Sequence, residues 1–165
     1  LVMEELARFN TFLEMLDPMR GGYRCVLYDK ALVDTFPKKS KTRIILDIDD
    51  GNIQVQAGIQ SFGGGKYFSM IGKTKLNGHT YEQGQAISVI IYLDPNPLGV
   101  EIPEVVEVLL EQDDVIERVW DKLTDGRKRT ICHTVHRIKN IDKQVEKCLN
   151  FFEEEREKLA DRGKW

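Results

Sequence analysis

The stretch Asp94-Pro95-Asn96-Pro97-Leu98-Gly99 constrains this chain more than any other. Two prolines at alternate positions remove two backbone donors and bias the residue before each away from helix, so no strand or helix runs through. Ahead of this break the apolar residues alternate and most glycines occur; behind it the period lengthens to that of a helix. The expected organisation is a small β domain over 8–98 followed by a helical region over 99–160 packed on it.

In the first part, Val26 begins a short apolar segment after Gly21-Gly22. Arg43-Ile44-Ile45-Leu46-Asp47-Ile48 is β-branched and runs into Asp50-Gly51, a dipeptide suited to the positive φ of a tight turn. Ile53, Val55, Ala57 and Ile59 then alternate with polar residues or glycine, which predicts a hairpin. A second strand pair is expected from Lys66–Lys73 and Gln85–Leu93, joined by a loop with Asn77-Gly78 and Glu82-Gln83-Gly84. The opening segment fits two periods: Leu6, Phe9, Leu13 and Leu16 suit a helix, while Phe9, Thr11, Leu13 and Met15 suit a strand.

After Pro103 come helical stripes: Val105, Val108 and Leu109; then, behind the cap signal Asp113-Asp114, Val115, Val119 and Leu123. Thr124-Asp125-Gly126 interrupts, and the stripes resume as Ile131, Val135 and Ile138, then Ile141, Val145, Cys148, Leu149 and Phe152. Charge is divided within this half. Residues 99–126 hold nine acids and two bases, and residues 127–147 hold seven bases and two acids. Packing the two side by side is favourable, although exposed pairs contribute only about 0–1 kcal/mol each.

The whole chain, 165 residues with net charge −3, lacks the global positive field that coats a protein onto nucleic acid or anionic lipid. Its longest apolar run, Ala86–Leu93, falls far short of the roughly 20 residues of a membrane span. Glu4 and Glu5 near the amino end, without a basic flank or apolar core, give no secretory signal. Cys25, Cys132 and Cys148 are odd in number and widely spaced, as free thiols in a reducing compartment are, so the expected address is the cytoplasm.

Several motifs invite chemistry. Gly72-Lys73-Thr74 ends like a phosphate loop, but Tyr67 stands where the first glycine belongs. Gly63-Gly64-Gly65-Lys66 reads as a turn or bulge. Asp47, Asp49 and Asp50-Gly51 imitate a calcium loop with its glycine misplaced and Gly58 where a glutamate is needed. Cys132 and His136, at i and i+4 beside His133, could share a metal or form a thiol–base pair. Further ligands would have to come from His79, Cys148 or a carboxylate. No metal, cofactor or catalytic residue is therefore assigned. Arg127, Lys128, Arg129, His133, Arg137 and Lys139 form a candidate binding surface for phosphate groups, or else a solvated face answering the acidic helix before it.

Val26-Leu27-Tyr28-Asp29-Lys30-Ala31-Leu32, Gly65-Lys66-Tyr67-Phe68-Ser69-Met70 and Tyr81-Glu82-Gln83-Gly84-Gln85-Ala86-Ile87-Ser88-Val89 resemble, in that order, a small bacterial β-barrel domain of unknown function. From Ile102-Pro103-Glu104-Val105, through Leu123-Thr124-Asp125-Gly126-Arg127-Lys128-Arg129, to Ile138-Lys139-Asn140-Ile141-Asp142-Lys143, the chain resembles its companion, the bacteriocin-protection or OmpD-associated (YdeI) family. The resemblance implies a double-split β-barrel with a tail of about three helices, and makes Phe9–Leu16 a strand. It departs at Asp142-Lys143-Gln144-Val145-Glu146, where the family's motif is rich in arginine.

The expected function is non-enzymatic binding of a small ligand or protein partner, in the bacterial stress or antimicrobial-peptide protection that the resemblance implies. Two alternatives stand beside it: a nucleic-acid-binding regulator using the barrel or the basic stretch 127–147, and a thiol or metal enzyme centred on Cys132 and His136.

Overall fold

The computed structural model describes residues 3–16, 23–76 and 78–165; Gly21-Gly22 and Asn77 of the expected turns lie outside them. The chain divides into two compact units, Leu1–Gly99 and Val100–Trp165.

Among the described residues, the first unit holds two antiparallel four-stranded sheets. Its strands are β1 (Glu5–Phe12), β2 (Glu14–Met15), β3 (Arg24–Asp29), β4 (Ile44–Ile48), β5 (Ile53–Ala57), β6 (Gln60–Gly63), β7 (Lys66–Ile71) and β8 (Ala86–Leu93), with a single helical turn, α1 (Lys30–Val33), after β3. One sheet has the order β1-β8-β4-β5 and the other β2-β3-β7-β6. The ambiguous opening segment is a strand, Glu5–Phe12, continued past buried Leu13 by β2.

The β4–β5 hairpin forms as its alternation predicts, pairing Ile44 with Ala57 and Ile48 with Ile53. Its turn puts Asp49, Asp50 and Gly51 all at positive φ. Short polar side chains and glycine are the residues that accept this conformation cheaply. Gly64-Gly65 turns β6 into β7, with a register shift between Ser61 and Gly63.

One expectation fails. β7 and β8 do not pair: β7 lies between β3 and β6, and β8 lies between β1 and β4 in the other sheet. The physical reason is in β8 itself. Its run Ala86–Leu93 has both hydrogen-bonding edges occupied, by β1 on one side and β4 on the other, which leaves no edge for β7.

The two sheets share a core built from Val26 and Tyr28, Ile44, Leu46 and Ile48, Ile53 and Val55, Ile71, and Ile87, Val89 and Ile91. The edge strands of one sheet run directly into the edge strands of the other, β1 into β2 at Leu13 and β5 into β6 at Gly58-Ile59.

The second unit contains four helices among the described residues, where about three were expected: α2 (Glu104–Gln112), α3 (Asp114–Lys122), α4 (Asp125–His136) and α5 (Ile141–Asp161). The four match the four apolar stripes of the sequence, against the roughly three that the resemblance implies; Asp113 both stops α2 and caps α3 as its cap signal predicts, its carboxylate accepting from the Val115 and Ile116 amides. Thr124 and Asn140 cap α4 and α5 in the same way.

The buried faces are partly rotated from the expected stripes. Val106, Ile116, Val119, Trp120, Ile131, Cys132, Val135, Cys148, Phe151 and Phe152 are buried, whereas Val108, Val115, Ile141 and Leu149 are exposed. Val105-Val106 and Val115-Ile116 are adjacent apolar pairs about 100° apart on the helix, so spacing alone does not choose between them. Among the described residues, no helix is long and apolar enough to cross a membrane.

Candidate functional site

The expected basic surface centres on α4, and the structure distributes its residues differently. Arg127 is ion-paired with Glu155 of α5 and its guanidinium lies 5.1 Å from the Phe151 ring. Lys128 stands over the Trp120 ring at 5.3 Å. The ring beneath Lys128 lies 6.4 Å from Phe152, which packs edge-on to Phe151 at 5.4 Å, so these two cations cover an aromatic cluster. Arg129 is half-buried and His133 exposed on the same helix, while Arg137 and Lys139 are exposed in the α4–α5 connection. Burial pushes the Glu155 carboxyl up, but hydrogen bonds from Arg127 and Lys158 and their charges prevail and hold it below the usual carboxylate range.

Cys132 and His136 point to different surroundings. The Cys132 thiol is fully buried, and burial pushes it up to about 11, as it does for Cys25 and Cys148. His136 is exposed, and its Nε2 lies 2.9 Å from the Glu101 carbonyl, which fixes that nitrogen as a donor. The aspartates of the calcium-like stretch serve the fold. Asp47 accepts from the Gly51 amide and the Gln54 side chain, and Asp49 accepts from the Ser88 amide and the Tyr81 hydroxyl.

A different constellation emerges in the β unit. A cleft of about 280 Å³ opens between the loop before β4 and the loop after β8, lined by Pro37, Lys38, Lys41, Thr42, Arg43, Leu93, Asp94, Pro95 and Pro97. Residues 36–46 carry four bases and no acid, a local charge density greater than that of the helical run.

Local hydrogen bonding shapes one wall. The 3-10 turn Lys39–Lys41 is held by the Lys41 amide on the Lys38 carbonyl (3.0 Å), and the buried Thr42 hydroxyl accepts from the Lys38 amide (2.9 Å). The opposite wall is the proline break. Asp94 accepts from the Asn96 amide and Asn96 from the Leu98 amide, two successive side-chain turns with a proline inside each. Asp94 also takes a hydrogen bond from Gln56 of β5, and its amide donates to the Arg43 carbonyl, which ties the walls together.

Arg43 is the most closely fitted of the cations. Its side chain passes beside Gly58 and Gly99, where a Cβ at either position would overlap the guanidinium or its Nε. Gly99 also has φ +76°, a second reason for glycine there; at Gly58 a Cβ would meet the Arg43 guanidinium, so the arginine head would have to shift. The cleft thus has three cations against one carboxylate, with apolar proline and leucine walls.

The sequence signal for this site is Pro37-Lys38-Lys39-Ser40-Lys41-Thr42-Arg43, a basic run in a loop. It escapes pattern reading because its partner wall lies some fifty residues further on, in a segment that spacing marks only as a stop. In the helical unit a second depression, about 290 Å³, lies between α3 and α5 over Ile116, Val119 and Phe152, with exposed Val115 and Leu149 on its rim. No family model matches the chain, nor does any curated protein or solved structure.

Proposed function

We propose that this chain is a non-enzymatic binding protein whose β unit holds an anionic ligand in the cleft beside Lys38, Lys41 and Arg43. The observation that carries this reading is the seating of Arg43 between two glycines at the edge of a basic, proline-walled cleft. The two glycines leave room for the guanidinium where it lies, and a cation already positioned beside a cleft loses less freedom when an anion binds.

The protonated, buried thiols support a binding role over thiol catalysis, because the thiolate is the reactive form. The employment of Arg127 and Lys128 within the helical unit favours the cleft over the 127–147 stretch as the anion site. We read the two sheets as halves of a double-split barrel; the passage of both edge strands from sheet to sheet and the shared core support that reading. In the bacterial protection that the family resemblance implies, the protein acts by holding its ligand or partner.

Titration of ¹⁵N-labelled protein with inorganic phosphate tests the proposal. The amides of residues 38–43 and 93–99 should shift, and Lys38→Gln/Lys41→Gln should remove the shifts. Shifts confined to residues 127–139, or steeply salt-dependent association with DNA through them, would transfer the role to the helical run.

A further inference from the structure

The same cleft constrains the body of its ligand as well as the sign of its charge. Its volume, about 280 Å³, lies at the lower edge of the roughly 300–1,000 Å³ typical of small-molecule sites and greatly exceeds what a bare tetrahedral anion fills. Most of its surface is not cationic. Pro37, Pro95 and Pro97 contribute ring surface and Leu93 a branched chain, while the charges gather on Lys38, Lys41 and Arg43.

The proline wall is held in shape before any ligand arrives. Each proline ring fixes its own φ, and the Asp94 and Asn96 side chains close the turns around Pro95 and Pro97. A fixed apolar wall loses little conformational freedom on binding, so a flat group laid against it gains nearly the full benefit of leaving water. Asp94 lines the cleft too, but its two carboxylate oxygens accept from the Asn96 amide and the Gln56 side chain, and the three cations outnumber it.

Resting on the anion-binding role proposed for this cleft, we infer that it takes an aromatic anion: a single-ring body against Pro37, Pro95 and Pro97, with a phosphate or carboxylate head directed to Lys38, Lys41 and Arg43. The head supplies orientation and the ring supplies most of the buried area. A phosphate head and a carboxylate head share this chemistry, and comparison of phenyl phosphate with benzoate tells which the site prefers.

The test uses the full chain and isothermal titration with inorganic phosphate, phenyl phosphate, benzoate and phenol. Phenyl phosphate or benzoate should bind at least about tenfold more tightly than both inorganic phosphate and phenol. Lys38→Gln/Lys41→Gln should remove that advantage over phenol while leaving thermal unfolding unchanged, since both lysines are exposed. Gly58→Ala, which displaces the Arg43 head without altering any charge, should weaken the aromatic anion several-fold. If inorganic phosphate binds as tightly as phenyl phosphate, the aromatic inference fails and the anion cleft stands. Binding of phenol as tight as that of phenyl phosphate overturns the role of the cations, and no binding by any of the four overturns both.

Discussion

Two basic segments of similar composition meet opposite fates in this molecule. In the helical unit, Arg127 and Lys128 lie on a helix whose neighbours offer a carboxylate and aromatic rings at matching turns, so Glu155, Phe151 and Trp120 take them up. In the β unit, Lys38, Lys41 and Arg43 lie in a loop whose facing wall offers prolines and one carboxylate already engaged by its own turn. Arg127 and Lys128 are taken up within their own unit; Lys38, Lys41 and Arg43 line a concavity. Charge density along a chain therefore marks a site only where the neighbouring elements leave an open cleft beside the charges.

The largest test of this contrast removes the ground beneath the helical cations. Phe152 is buried against Trp120 and Phe151, and Phe152→Ala should cost about 3–5 kcal/mol in urea denaturation. A loss under about 1 kcal/mol would mean that Phe152 is not packed in the aromatic cluster beneath those cations.

A direct comparison is next in size. Arg127→Gln should destabilise by about 1–2 kcal/mol, less than a fully buried pair because Arg127 is 42% exposed although Glu155 is only 9% exposed. Lys41→Gln should stay within about 0.5 kcal/mol of the parent. Equal effects would erase the distinction between the two segments.

The pH dependence of stability sharpens the contrast further. Glu155 titrates lower in the folded protein than in the unfolded chain, so its contribution is complete above the unfolded carboxyl value of about 4.3 and is lost as pH falls through the lower folded value. Urea midpoints measured from pH 7 down to 3 should fall less steeply for Glu155→Gln than for the parent. Parallel curves would show that the pair is not coupled to folding.

The smallest expected signal comes from the thiols. Cys25 reports on the β unit and Cys132 and Cys148 on the helical one; all are buried and raised to about 11, so iodoacetamide at pH 8 should leave native protein unmodified. In rising urea, the order in which Cys25 and the other two become alkylated tells which unit opens first.

What the chain discloses in advance depends on the range of the interaction concerned. The β4–β5 hairpin, the cap at Asp113 and the Gly64-Gly65 turn depend on neighbours in sequence, and their residues announce them. The partners of β8 do not, because β1 and β4 reach it across the whole unit and alternation carries no address. Helix faces are legible where a single apolar residue stands at a turn, as at Val135, and ambiguous where two stand together, as at Val115-Ile116. The cleft is the least legible feature, since its two walls meet only after β4 and β8 have paired.

The placement of β8 also sets an order of events during synthesis. Both β1 and β4 hydrogen-bond to β8, with Glu5 opposite Tyr92 and Ile44 opposite Leu93. The first strand made must therefore wait for the last strand of its unit to leave the ribosome, holding Phe9 and Leu6 without a home in the meantime. By contrast α4 and α5 are neighbours in sequence and can pair as soon as they emerge. The helical unit, though translated second, has the shorter path to its native contacts, and the β unit has the longer wait with apolar surface uncovered.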